Sequence, residues 1–367
     1  MRGDSLSTLL DDLTPPDGPR DAAGDGGADG DAGWRRAVEA VASRPLPSDL
    51  LAPGWHPVLD VIRDAAVRRV DVPLAEAAIA SAVAGVAGLE VTPRAVAAHG
   101  RVALTRHGSG WSVDAELPRV PWGRVAEQVV VVGDSGAVLR LPVAAATLHR
   151  GANLAGEPRD TLAFSRHPVG PDDLSDAGAL PADVVVRLGA LARAVAIAGA
   201  LETLSDLVID HAGQRRQFGR PLDRFQAVQA HLVSIASETA SAGMAAAVGR
   251  RALPPSAATS GADAHDARSR VAVAVAKTRT AAAATSAARS AHQVLGAIGT
   301  TELHPLGDVT RRLWSWRDEH GTQAFWQRTL GTMVTAAGGV GLWDLVTDQS
   351  EQAEPSQPSE PSRADSS

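Results

Sequence analysis

The residues best suited to hold an anion lie between Gln214 and Gln226, reading Gln-Arg-Arg-Gln-Phe-Gly-Arg-Pro-Leu-Asp-Arg-Phe-Gln. Arg215 and Arg216 offer forked guanidinium donors beside a Gly219–Pro221 turn, a pairing that suits a phosphate. Cations at a helix C-terminus also cap it and are favoured by the dipole, so spacing alone leaves both roles open. A second set is Gln293-Val-Leu-Gly296-Ala-Ile-Gly299. Its glycines either end a helix or let a ligand come close to the backbone. No strand precedes them, so this is not a dinucleotide fingerprint. The third set is Trp314 to Thr322, with Asp318, Glu319 and His320 placed just before a helix start. These groups suit acid–base work or N-capping. A metal site is disfavoured, because they are adjacent rather than a helical turn apart. Lys277, the only lysine, is the one side-chain amine open to Schiff-base chemistry, and nothing around it in the sequence supports that role.

The elements that must position these residues follow from composition and period. At 367 residues the chain suggests two or three domains. The absence of cysteine excludes disulfides, thiolate metal sites and a cysteine nucleophile. A net charge of -7 gives no reason to expect nucleic-acid binding, and a small partner fits better. No run of about 18 uninterrupted apolar residues and no secretory layout at the N-terminus point to a cytoplasmic protein without a membrane span.

Residues 1–33 hold eight Asp against two Arg and read as a disordered acidic arm, and 347–367 as a disordered tail. Residues 34–97 have helical spacing, as at Leu59, Ile62, Ala66 and Val70, and predict a small helical domain. Residues 98–175 change to short β-rich runs broken by turn signals and predict a small antiparallel β domain. Within it, the unbroken Val129–Val132 run predicts a strand buried on both faces. Residues 181–346 predict a bundle of four long helices, the first with one apolar stripe from Val184 to Val208. Pro254 to Gly261 reads as a linker. The expected class is mainly α with a small β domain.

Together, Arg215, Phe218, Gly219, Pro221, Leu222, Phe225 and Gln226, then Gln293, Gly296 and Gly299, then a Gly-Thr turn, resemble the C-terminal half of the acyl-CoA dehydrogenase family. Pro73 to Glu76 and Trp111 to Val132 extend the likeness more weakly. The resemblance implies a helical domain, a β domain and a C-terminal four-helix bundle. It also implies FAD as cofactor and α,β-dehydrogenation of an acyl-CoA substrate. By that likeness Arg215 pairs a phosphate of FAD, Phe218 packs beside the cofactor, and Gln293, the Gly296 backbone and Thr322 complete the contacts.

Two departures matter. Counting from Pro305, the family's catalytic Glu falls on His320, with Glu319 one position early, and the alternative seat of that base falls near Gly189. His320 as base, Glu319 shifted by one, or no base in this chain all stay open. The family's Thr-Glu-Pro-x-Ala-Gly-Ser-Asp stretch, which meets the flavin ring, is missing after Ala97 and Ala98. The pattern is similar to the degenerate subunits of heteromeric members, which implies an oligomer with a paralogous acyl-CoA dehydrogenase subunit that supplies the base and ring pocket. A self-sufficient enzyme using Glu319 or His320, and a non-catalytic structural or acyl-CoA-binding member, are the alternatives.

Overall fold

The computed structural model describes residues 55–346 except 71, 109, 177–179, 254–262 and 302–303. The acidic arm, the first part of the expected helical domain, the Pro254–Gly261 linker and the tail therefore lie outside the described residues.

Two helices come first, α1 (Trp55–Val67) and α2 (Leu74–Val86). In α1, Trp55, Val58, Leu59, Ile62, Ala65 and Ala66 recur at helical spacing and are buried. Eight strands follow: β1 (Ala95–Ala98), β2 (Arg101–His107), β3 (Gly110–Pro121), β4 (Gln128–Val132), β5 (Val138–Pro142), β6 (Thr147–His149), β7 (Arg159–Val169) and β8 (Leu174–Ser175). They form two four-stranded sheets, ordered β1-β4-β5-β8 and β2-β3-β7-β6. Val129 and Val131 of β4 pack into the core between the sheets, while Val130 and Val132 join the helical core. Alternation along an extended strand is what sends four successive valines to two cores.

Two expectations for this region need correction. The sheet begins at Ala95, inside the stretch assigned to helices, because four small apolar residues carry no period that separates strand from helix. The β domain is also not wholly antiparallel, since β1 pairs with β4 in parallel.

The C-terminal part contains α3 (Val184–Gln214), α4 (Gln226–Arg251), α5 (Asp263–Leu295), α6 (Leu306–Asp318) and α7 (Gln323–Val346). Helix α3 does not bury one stripe. Every residue from Gly189 to Leu201 is buried, so it is the central helix of the molecule. Its small residues permit this: a Cβ at Gly199 would stand 2.6 Å from the Arg63 carbonyl oxygen of α1. Helix α6 is an element not expected from sequence; Trp314 to Asp318 form its end rather than a loop before a helix. Helix α7 is the expected fourth long helix, kinked at Gly338 (φ 70°, ψ 175°). Helices α3 and α4 are each long and apolar enough to cross a membrane, but 89% of the α3 window is buried inside the protein, as in a core helix, against 28% for α4.

Candidate functional site

The residues singled out from sequence fall into two groups at opposite ends of α6. Its 13 residues separate them by roughly 20 Å.

At the N-terminal end of α6 lie the corner and the glycine turn. The chain leaves α3 at Arg215, whose N–H donates to the His211 carbonyl at 2.9 Å. It then forms a two-residue hairpin between β9 (Arg216–Gln217) and β10 (Arg220–Pro221), a feature not anticipated from sequence. Phe218 and Gly219 make its turn with φ of 49° and 79°. Glycine takes that left-handed region freely, but phenylalanine is strained there. Phe218 is nonetheless 91% exposed, so the chain covers little of its ring. Its ring meets Phe225 edge-on at 6.2 Å, and Arg220 lies 4.1 Å over the Phe225 ring. Arg215 and Arg216 are exposed, and neither makes an ion pair among the described residues. Gln293 and Gly296 are exposed too, and Gly296 has φ 63°, as expected after a helix end. Gly299 is buried: a Cβ there would stand 2.9 Å from the Leu295 Cβ, so close packing accounts for it.

At the C-terminal end lie Glu319, His320 and Thr322. Both carboxylate oxygens of Glu319 are taken up by hydrogen bonds. Its Oε1 accepts from Arg159 Nε at 2.8 Å and Asn153 Nδ2 at 2.9 Å; its Oε2 accepts from Arg159 Nη2 at 3.0 Å and Arg193 Nε at 2.8 Å. Burial opposes its ionisation, but the charges and hydrogen bonds of Arg159 and Arg193 outweigh that and hold the carboxyl well below the usual range. Those two arginines extend the network. Arg193 on α3 also pairs with Glu76 on α2, and Arg159 donates to Glu157 at 2.7 Å. Glu157 in turn accepts from the Trp316 indole at 3.0 Å. Carboxylates and guanidiniums thus alternate through Glu76, Arg193, Glu319, Arg159 and Glu157, all buried. Lys277 stands beside this ladder, 0% exposed, its Nζ donating to the Trp316 carbonyl and, at 3.0 Å, to that of Arg317.

His320 is the other candidate. It has φ 50°, and its ring rests on Gly189: a Cβ there would lie 2.3 Å from Nδ1. The two sequence positions offered as seats for a base are therefore one place in space, filled by an imidazole. Burial, then Arg193 and His99, hold His320 well below its ordinary pKa. His99 lies 5.6 Å away, ring to ring. A cavity of about 160 Å³ opens here, lined by His99, Arg119, Arg159, Glu319, His320 and Gly321 among others. That is small beside the roughly 300–1,000 Å³ of a typical ligand pocket. The missing flavin-facing stretch has a visible counterpart: β1 passes to β2 through only His99 and Gly100, and a Cβ on Gly100 would stand 2.3 Å from the Glu116 carbonyl oxygen. Thr322 caps α7, its Oγ1 accepting from the Phe325 N–H at 3.3 Å. It stands at the opposite end of α6 from Arg215 and Gln293.

Sequence reasoning missed Arg159, Arg193 and Glu157. Arg193 had a usable signal, since a charge amid the apolar run Leu188–Leu201 needs a buried partner.

Residues 185–332 match the family model "Acyl-CoA dehydrogenase, C-terminal domain". No curated protein matches the chain. Among solved structures, a variant of the Tcur3481–Tcur3483 steroid ACAD superposes with TM-score 0.74 at 15% identity, covering 91% of this chain and 96% of that one. The ChsE4–ChsE5 complex from Mycobacterium tuberculosis gives 0.67 at 19%, covering 90% and 95%. Glutaryl-CoA dehydrogenase from Mycobacterium smegmatis gives 0.71 at 17%, covering 91% and 94%. Residues 185–332 are thus an acyl-CoA dehydrogenase C-terminal domain, and the chain that carries them has the acyl-CoA dehydrogenase fold.

Proposed function

We propose that this chain is the cofactor-lending subunit of a heteromeric, FAD-dependent acyl-CoA dehydrogenase, working with a paralogous subunit that supplies the base and the flavin-ring pocket. One observation carries the reading: the chain's own base seat holds an imidazole and a carboxylate already taken up by arginines, while its corner is exposed. Glu319 is saturated by two arginines, and His320 fills the space over Gly189. At the other end Arg215, Phe218, Gln293 and Gly296 stand exposed, with a strained aromatic and unpaired guanidiniums that suit a ligand completed by another chain. The residues therefore fit the phosphate-bearing half of FAD and do not fit its ring. When bound, FAD supplies the hydride acceptor for α,β-dehydrogenation of the acyl thioester. This chain's part is to hold the cofactor's anionic half through Arg215 and the Gln293–Gly296 turn.

Two further observations support a partner. Helix α4 buries only five of its 26 residues. Its outer face presents Ala230, Val233, Ala236, Ala240, Met244 and Val248 at helical spacing, all exposed and none charged. Two of the similar structures, ChsE4–ChsE5 and Tcur3481–Tcur3483, are named as pairs of chains.

The test is to purify the chain alone and with candidate partner subunits, then measure flavin absorbance and its bleaching by acyl-CoA. Colour only with a partner is expected. Arg215→Ala, which removes a charged donor worth about 1.5–3 kcal/mol, should weaken FAD retention by roughly 10- to 150-fold. A chain that is yellow and bleached on its own would refute the proposal. No colour under either condition would favour a structural or acyl-CoA-binding role.

A further inference from the structure

We infer that His211 and His304 are positioning residues for the lent cofactor site, joining the Arg215 corner and the Gln293–Gly299 turn into one rigid frame; the inference rests on the cofactor-lending reading above. The two histidines belong to different elements. His211 lies in the last turn of α3, and its carbonyl takes the Arg215 N–H, so the backbone that aims Arg215 is fixed at His211. His304 follows the Gly296–Thr300 turn and precedes α6. The rings meet edge-on with centroids 6.0 Å apart.

His304 has a second task. Its Nδ1 accepts the Leu306 N–H at 3.1 Å, satisfying a donor in the first turn of α6 that has no partner within the helix. With Nδ1 accepting, the ring keeps its proton on Nε2 and is the neutral tautomer. Burial lowers the pKa of both rings, helped by Arg215 at His211 and by His211 at His304.

The other end of the glycine turn is tied separately. His292, one residue before Gln293, stacks on Trp314 at 6.0 Å, and its Nε2 lies 3.1 Å from Thr310 Oγ1, both on α6. Gln293 is therefore held to α6 through its neighbour His292, and His304 meets the end of α3 through His211. Arg215 and the Gly296 backbone must reach one anionic ligand, so the separation of the two anchors matters as much as the donors themselves.

The test measures FAD dissociation constants of the purified heteromer by equilibrium dialysis. His211→Ala and His304→Ala should each weaken FAD binding about three- to ten-fold. Two conservative variants separate positioning from general stability. His211→Phe keeps an edge-on aromatic contact and should restore affinity. His304→Asn keeps the acceptor for the Leu306 N–H but loses the ring contact, and should remain weak. In an Arg215→Ala background, His211→Ala should add less than about two-fold, because it acts through Arg215. Full additivity, or unchanged affinity in both histidine variants, would overturn the inference while leaving the lent site standing. If Arg215→Ala itself leaves FAD affinity unchanged, the lent site and the inference fall together.

Discussion

Raising the pH from 7 to 10.5 should stabilise this protein through a single side chain. The sequence contains one lysine, no tyrosine and no cysteine. Above pH 8, within this window, Lys277 and the α-amino group are the groups whose ordinary pKa values fall in range. Lys277 is fully buried in α5, and burial pulls its pKa from 10.5 to about 7; Arg193 acts in the same direction, and Glu319 acts against it. Between those two values the unfolded chain binds more protons than the folded one, so stability rises with pH. The slope should approach 1.4 kcal/mol per pH unit, and the whole window is worth about 5 kcal/mol. Urea unfolding at constant ionic strength, from pH 7.5 to 10.5, measures it. The α-amino group, with a pKa of about 7.7–8.0, adds no slope above pH 9, which isolates Lys277. Lys277→Met should show a flat profile there. A wild-type profile that is flat above pH 9, or a Lys277→Met profile with the same slope, would refute the burial argument.

Other perturbations address the two ends of α6. Glu319→Gln removes the charge shared by Arg159 and Arg193 and should cost about 3–5 kcal/mol in thermal unfolding; a variant of normal stability that abolished flavin reduction would instead restore Glu319 as a base. The depressed pKa values of Glu319 and Glu157 mean that their contribution is complete above the unfolded carboxylate value of 4.5 and is lost as pH falls through the folded values. The wild-type urea midpoint should therefore fall more steeply below pH 4.5 than that of Glu319→Gln. Gly189→Ala places a Cβ 2.3 Å from His320 Nδ1, and the clash, about 1–3 kcal/mol, should outweigh the better helix propensity of alanine. Adding His320→Ala should recover the loss, and a more stable Gly189→Ala single variant would count against the packing described. Phe218→Asn relieves left-handed strain and should raise stability by about 1 kcal/mol while weakening FAD retention; a fall in both would make Phe218 a structural residue.

How much of the molecule is legible in its sequence depends on whether the signal is local. The Arg215–Gln226 corner and the Gln293–Gly299 turn are found because motif and turn chemistry lie within a few residues of each other. The four valines of β4 are legible as doubly buried because a short, unbroken β-branched run between turn residues suits a strand with no solvent face. Helix α6 is hidden, since Trp314 and Trp316 flank a serine and are followed by Arg-Asp-Glu-His, which reads as a polar link. The two-sided burial of α3 is hidden too: the alanines between its larger residues look like a neutral face until α1, α4, α5 and α6 close around them. The charge ladder is beyond reach on different grounds. Its members come from positions 76, 157, 159, 193 and 319, and no local rule joins them.

That ladder decides what Glu319 can do. A general base needs a lone pair directed at the substrate and a pKa close to the working pH. Both oxygens of Glu319 already accept two donors each, and two guanidiniums stabilise the ionised form. Freeing one oxygen would break buried charged hydrogen bonds to Arg159 or Arg193, leaving those guanidiniums only Glu157 or Glu76, a loss of several kcal/mol before any chemistry began. The members also come from the first helical pair, the β domain and the bundle, so loosening Glu319 would loosen the junction among all three. The proposal above accordingly takes the proton-abstracting carboxylate from another chain, and the exposed corner at the far end of α6 is where this chain has donors to give in return.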